Sequence, residues 1–233
     1  DLELWTNLWF ALVAAVHHGE AQAEGVDLAA RTAVLAAALD RVSADQDRRS
    51  TALQARTFRL LVKLQQAKPE QIEAVLRDLA AVVKDSEALV GYPFQPLVRL
   101  LTELGDAFGD VSAYEQLFEL VVETASRRDG DIRAAEFLVL RGAQQLQGGR
   151  PYEAIRTIGR ALGKLYKHES RRDLVRALYL CARAYEQAGL LWAARGTMLS
   201  AASVATNEFW AYEEATPQQA IYYDRLRWIE LQL

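Results

Sequence analysis

Apolar residues recur along this chain at spacings of three and four, in runs broken by short polar or glycine-bearing stretches. That period predicts amphipathic helices from end to end, and no run alternates apolar and polar residues long enough to suggest a strand. The first predicted helix is "LELWTNLWFALVAAVHH" (2–18), stopped by "GEAQAEG". "DLAARTAVLAAALDRV" (27–42) is the second, with Asp27 in the N-cap position. A third opens at Ser43 or Asp45 and runs to about Ala67, and Pro69 starts a fourth, "PEQIEAVLRDLAAVVKD". After the turn "GYPF" (91–94), Pro96 starts "PLVRLLTELGDAF". Every break is short, so a single all-α domain is expected over 1–233.

From Pro96 onward the pattern repeats. "LTELGDAF", "LVLRGAQQ" and "LYLCARAY" align with Leu101, Leu138 and Leu178 in register, then Gly105, Gly142 and Ala182, then Phe108, Gln145 and Tyr185. Gly105 to Gly142 is 37 residues, and Gly142 to Ala182 is 40. Downstream, "GDVSAYEQLFELVVET", "GGRPYEAIRTIGRALG" and "AGLLWAARGTMLSAAS" align as second helices. There Ala154 matches Ala194, Ile158 matches Met198 and Ala161 matches Ala201, while the first copy carries Leu117, Val121 and Thr124. A small residue in the first helix lets its partner approach closely, and alanines in the second leave room for the next copy's larger side chains.

This arrangement resembles the tetratricopeptide repeat, a helix pair with a large residue, a small residue and an aromatic in its first helix and spaced alanines in its second. The copies here exceed the usual ~34 residues. The middle one carries Arg141 where leucine is expected and Gln145 where an aromatic is expected, so the array is divergent. The resemblance covers 96–205 as three repeats; 1–90 is read as degenerate helix pairs and 206–233 as a terminal helix after Pro217. It implies a right-handed α-solenoid of antiparallel helix pairs that holds a protein or peptide in a groove lined by first helices. Carried onto the aligned positions, the groove contacts are Arg99, Thr102 and Asp106, then Glu136 and Val139, then Arg176, Tyr179, Arg183 and Glu186. Arg176, Tyr179 and Arg183 share one helical face, where an arginine pair beside a tyrosine can grip a carboxylate and pack an apolar side chain.

Composition changes little in this picture. The net charge of −4 disfavours nucleic acid as a partner. One cysteine, Cys181, excludes an internal disulfide and a cysteine-based metal site, and suits a reducing, cytoplasmic setting. "LWFALVAAV" followed by "AQA" mimics a secretory leader, but Asp1 and Glu3 stand where basic residues belong, and the segment is too short to span a bilayer. A chain starting at Asp1 and ending on "WIELQL" is expected to be cut from a longer protein. Its partner is then a separate protein or peptide, or another domain of the parent.

Candidate chemistry thins out on inspection. In "GGRPYEAIRTIGRALGKL" (148–165), Gly159 and Gly163 are separated by three residues and Lys164 is followed by Leu165, so the phosphate-loop spacing fails. Gly148 and Gly149 instead end one helix and Pro151 starts the next. His17 and His18 are adjacent and point about 100° apart, which suits a helix end rather than a metal site. Cys181 sits in a packing slot and is expected to be buried and inert. Arg156, Arg160 and Lys164 recur every four residues, extended by Lys167, Arg171 and Arg172. This stripe supports an alternative reading as an anion- or nucleic-acid-binding solenoid; the simpler reading is a solvated face opposite Ile155, Ile158 and Leu162. No catalytic residue, cofactor or metal is expected, and a helical enzyme is the remaining rival.

Overall fold

The structure is a computed structural model; it describes residues 8–9, 11, 28–44, 49–89, 92–98, 101–102, 112–167, 170–209 and 217–233. The described residues are helical with short connections and contain no strand. The chain divides into two compact units, one of Asp1–Leu97 with Val111–Leu117 and one of Val98–Asp110 with Phe118–Leu233.

In the first unit, α1 (Leu28–Ser43), α2 (Arg49–Gln65) and α3 (Pro69–Asp85) pack in sequence, followed by a 3-10 turn, Ser86–Ala88. Asp27 lies outside the described residues. Pro69 opens α3 as its pattern predicts, and the Lys68 backbone N–H donates to Gln71 Oε1 at 3.2 Å. Leu39, Leu61, Val62, Leu79 and Val82 are buried between the helices, each worth about 1.5–3 kcal/mol. Polar groups are satisfied locally. Trp9 Nε1 donates to Thr32 Oγ1 at 2.8 Å, and the Thr57 and Tyr92 hydroxyls bond one another. Exposed ion pairs link Arg59 to Asp40 and Arg56 to Asp85. The predicted first helix, 2–18, falls mostly outside the described residues, of which Leu8, Trp9 and Ala11 are helical.

The second unit carries the repeat. Its helices are α4 (Ser112–Arg128, from Phe118 onward), α5 (Asp131–Gln147), α6 (Pro151–Leu165), α7 (Arg171–Gln187), α8 (Leu191–Phe209) and α9 (Pro217–Glu230). Consecutive helices pack pairwise, and α5 also touches α7. The alignment reappears as burial: Ala154, Ile158, Ala161, Ala194, Met198 and Ala201 are all fully buried, as are Val121 and Thr124 in the divergent copy. Leu138, Leu178 and Ala182 lie in the core, whereas Gly105 and Phe108 lie outside the described residues.

The 40-residue period extends to individual backbone hydrogen bonds. After α5, Gly149 N–H donates to Leu146 O at 3.2 Å and Arg150 N–H to Gln145 O at 2.9 Å. After α7, Gly189 N–H donates to Glu186 O at 3.0 Å and Leu190 N–H to Tyr185 O at 2.9 Å. Both are Schellman closures, and both place glycine at positive φ, 71° and 74°, where a side chain would be strained. The repeat also reaches the surface: Tyr152 and Trp192 occupy equivalent first-turn positions in α6 and α8, 67% and 75% exposed.

The remaining glycines of "GGRPYEAIRTIGRALGKL" have no such role. A Cβ at Gly159 or Gly163 meets nothing within 4 Å. Both lie inside α6 at ordinary helical geometry. Gly159→Ala and Gly163→Ala are each expected to stabilise the chain by about 0.5–1 kcal/mol, through lower entropy of the unfolded state and better helix propensity. Denaturant titration followed by circular dichroism reads the gain, and a loss of stability in either variant would contradict the open placement of these positions.

Candidate functional site

The first helices of the array, α5 and α7, lie side by side, and α9 joins them. Tyr179 on α7 meets Tyr222 on α9 edge-to-face, ring centroids 5.5 Å apart and planes at 74°. One turn further, Arg225 of α9 grips Glu186 of α7 with two donors, Nε to Oε2 at 2.8 Å and Nη2 to Oε1. Glu186 also pairs with Arg183 Nε at 3.5 Å, and Arg183 Nη1 donates to the Tyr179 hydroxyl at 3.5 Å. Burial, and then the neighbouring Tyr179, raise the Tyr222 hydroxyl above its ordinary range. The result is a continuous polar line over α7 and α9 with a tyrosine pair at its centre. Arg172 and Arg176, in the first and second turns of α7, are exposed and make no ion pair among the described residues.

The predicted groove residues are placed unevenly. Arg176, Tyr179, Arg183 and Glu186 come together on this face. Glu136 of α5, at the register of Arg176, is half-buried and paired with Arg133 at 2.6 Å. Val139 is 3% exposed and belongs to the core, since α5 is enclosed on more sides than the spacing alone indicates. Thr102 is half-buried and donates to Val98 O at 2.8 Å. Arg99 and Asp106 lie outside the described residues. Tyr222 and Arg225 lie on α9, the predicted terminal helix, outside the three aligned repeats; the 43-residue spacing from Tyr179 to Tyr222 is the signal that adds α9 to the row.

The basic stripe of α6 has another explanation. Arg160 Nη1 and Nη2 donate to the two carboxylate oxygens of Glu119 on α4 at 2.5 and 2.6 Å. Lys164 Nζ donates to Asp131 Oδ1 at 2.5 Å and to Ser126 Oγ at 2.9 Å, and Ser126 itself bonds Asp131. Two of the three cations therefore bind α6 to α4 and to the start of α5, and the third, Arg156, is exposed with no ion pair among the described residues. Lys164→Ala is expected to cost about 0.5–1.5 kcal/mol, because it strips a charged partner from Asp131; Arg156→Ala should change stability by less than about 0.5 kcal/mol. Equal effects of the two substitutions in a denaturant series would refute this division of labour.

Burial pushes the Cys181 thiol up to about 11, against a small opposing effect of its hydrogen bond with Tyr185, the behaviour of an unreactive packing cysteine. Among the described residues no group of three or more His, Cys, Asp or Glu is placed to hold a metal ion, and no helix is long and apolar enough to cross a membrane. His17, His18 and His168 lie outside the described residues.

The described residues form an all-α array of helices packed pairwise. Compared with known protein families and with curated proteins, the chain matches none.

Proposed function

We propose that this chain is a non-catalytic protein- or peptide-binding module of the tetratricopeptide-like kind, a scaffold or sensor whose partner docks on the face shared by α5, α7 and α9. In this reading the helix pairs form a right-handed superhelix, and the partner is a separate protein or another domain of a larger parent. The observation that carries the reading is the row of contacts from Tyr179 to Tyr222 and from Glu186 to Arg225. It joins α7 and α9 side chains into one preordered surface beside the exposed Arg172 and Arg176. A surface ordered before binding loses little conformational entropy when a partner arrives. The engagement of Arg160 and Lys164 with Glu119 and Asp131 weighs against the alternative, an anion-binding stripe on α6.

The test is affinity capture with the wild type and the double substitution Arg176→Glu/Arg183→Glu. Partners held by wild type should be lost from the variant, while its circular dichroism remains that of the parent. If the variant keeps every partner at equal affinity, this face is not the docking surface.

A further inference from the structure

The charges on the α7–α9 face, taken with their spacing, specify the chemistry of the partner. On α7 and α9 four arginines, Arg172, Arg176, Arg183 and Arg225, stand with one carboxylate, Glu186, while Glu136 on neighbouring α5 is paired with Arg133 at 2.6 Å. This surplus sits in a chain whose net charge is −4, so it is a local feature and not a property of composition. Glu186 does not neutralise the row. Its side chain is 10% exposed and already held at both oxygens by Arg225, leaving Arg183 the longer contact at 3.5 Å. Arg172 and Arg176 are exposed and make no ion pair among the described residues.

The spacing is equally informative. Arg172 and Arg176 are one helical turn apart, about 6 Å along the axis of α7. In an extended peptide, side chains two residues apart fall on the same side and are separated by about 6.6 Å. Beyond Arg176 the row passes over the Tyr179–Tyr222 pair before reaching Arg183. The tyrosines meet edge-to-face and are half-buried, so part of their ring hydrocarbon lies at the surface beside the arginines.

We propose that the docking face binds an extended acidic peptide segment of another protein, with two carboxylates spaced i and i+2 on Arg172 and Arg176 and an apolar side chain at i+4 over Tyr179 and Tyr222. Arg183 closes the far end of the subsite, exchanging its long contact with Glu186 for a ligand carboxylate or a backbone carbonyl. The inference rests on the docking reading given above and adds the sign, the register and the extended form of the ligand.

The test uses fluorescence anisotropy with a fluorescein-labelled peptide containing Glu-Ser-Glu-Ser-Leu between serine-glycine flanks. Three comparison probes accompany it: Glu-Glu-Ser-Ser-Leu, the same register with lysines for glutamates, and a single-stranded oligonucleotide of similar length and charge. The first peptide is expected to bind about tenfold more tightly than the permuted one and far more tightly than the lysine probe. Binding should weaken by about tenfold when salt is raised from low to molar concentration, since exposed charges are screened over about 3–10 Å in that range. Arg176→Glu should abolish it. Equal binding of the permuted or lysine peptide, or tighter binding of the oligonucleotide, overturns the proposal. The captures made with Arg176→Glu/Arg183→Glu separate the two levels. Partners lost from that variant, with no preference for the acidic probe, leave the docking face standing and remove its acidic specificity. Partners retained, with no probe bound, remove both.

Discussion

Gly142→Ala lowers stability by about 1–2 kcal/mol, although alanine is the better helix former. A Cβ built at Gly142 falls 2.3 Å from Ile158 Cγ1 and 3.0 Å from its Cδ1, with Ala154 O at 3.7 Å. Cγ1 is not the free end of a flexible side chain. Ile158 is β-branched, fully buried on α6 and confined at χ1 by its own helix. The methyl therefore forces α5 and α6 apart or Ile158 off its rotamer, an overpacking cost of about 1–3 kcal/mol, against a propensity gain of at most about 1 kcal/mol. At this chain length the net loss corresponds to a melting temperature lower by about 2–8 °C. Ile158→Ala alone should cost about 2–5 kcal/mol. The double variant should be clearly more stable than the sum of the two losses implies, because the clash vanishes with the isoleucine. A Gly142→Ala protein as stabilised as Gly159→Ala would refute close approach at this position.

Arg141→Ala is expected to cost more, about 3–5 kcal/mol. Arg141 is 1% exposed, the largest fully buried side chain of the described residues. Its Nη1 donates to Gln144 Oε1 at 2.6 Å, and its guanidinium carbon lies 5.9 Å from the centre of the Phe118 ring. Truncation opens a cavity against α4 and removes a donor from a buried amide oxygen at once. Arg141→Lys should recover less than half of the loss, because an ammonium lacks the planar face that lies over Phe118 and the bulk that fills the buried slot. Urea unfolding followed by circular dichroism separates the three proteins. An Arg141→Ala variant within about 0.5 kcal/mol of wild type would mean that the buried guanidinium is neutral to stability.

Arg141 also marks how far the sequence could be read. Its slot was identified as a leucine position carrying the wrong residue type, and the slot is buried as its register requires. What periodicity could not supply is the means of burying an arginine there, since Phe118 lies on a different helix and Gln144 looks like any other polar residue. Helix starts at Pro69, Pro151 and Pro217 were legible because proline's missing N–H is tolerated in a helical first turn. The packing of Gly142, Ala154, Ile158 and Ala161 was legible because small residues at fixed spacing have few other uses. The candidate face was legible only within one helix. Arg176, Tyr179 and Arg183 follow from helical spacing, whereas Tyr222 and Arg225 enter through pairs 43 and 39 residues apart. The α6 stripe misleads for the same reason: Arg156, Arg160 and Lys164 look alike until Glu119 and Asp131 are seen opposite two of them.

The placement of Cys181 gives this chain a built-in clock. It is the only thiol in the sequence, it lies in the core on α7, and burial holds its ionisation near 11. At neutral pH an alkylating reagent therefore reacts almost entirely with molecules in which α7 has swung away from its neighbours. Under conditions where closing outruns labelling, the labelling rate divided by that of the unfolded chain is the equilibrium constant for that opening. Measured across low denaturant, the same thiol distinguishes a helix pair that detaches alone from an array that opens only as a whole.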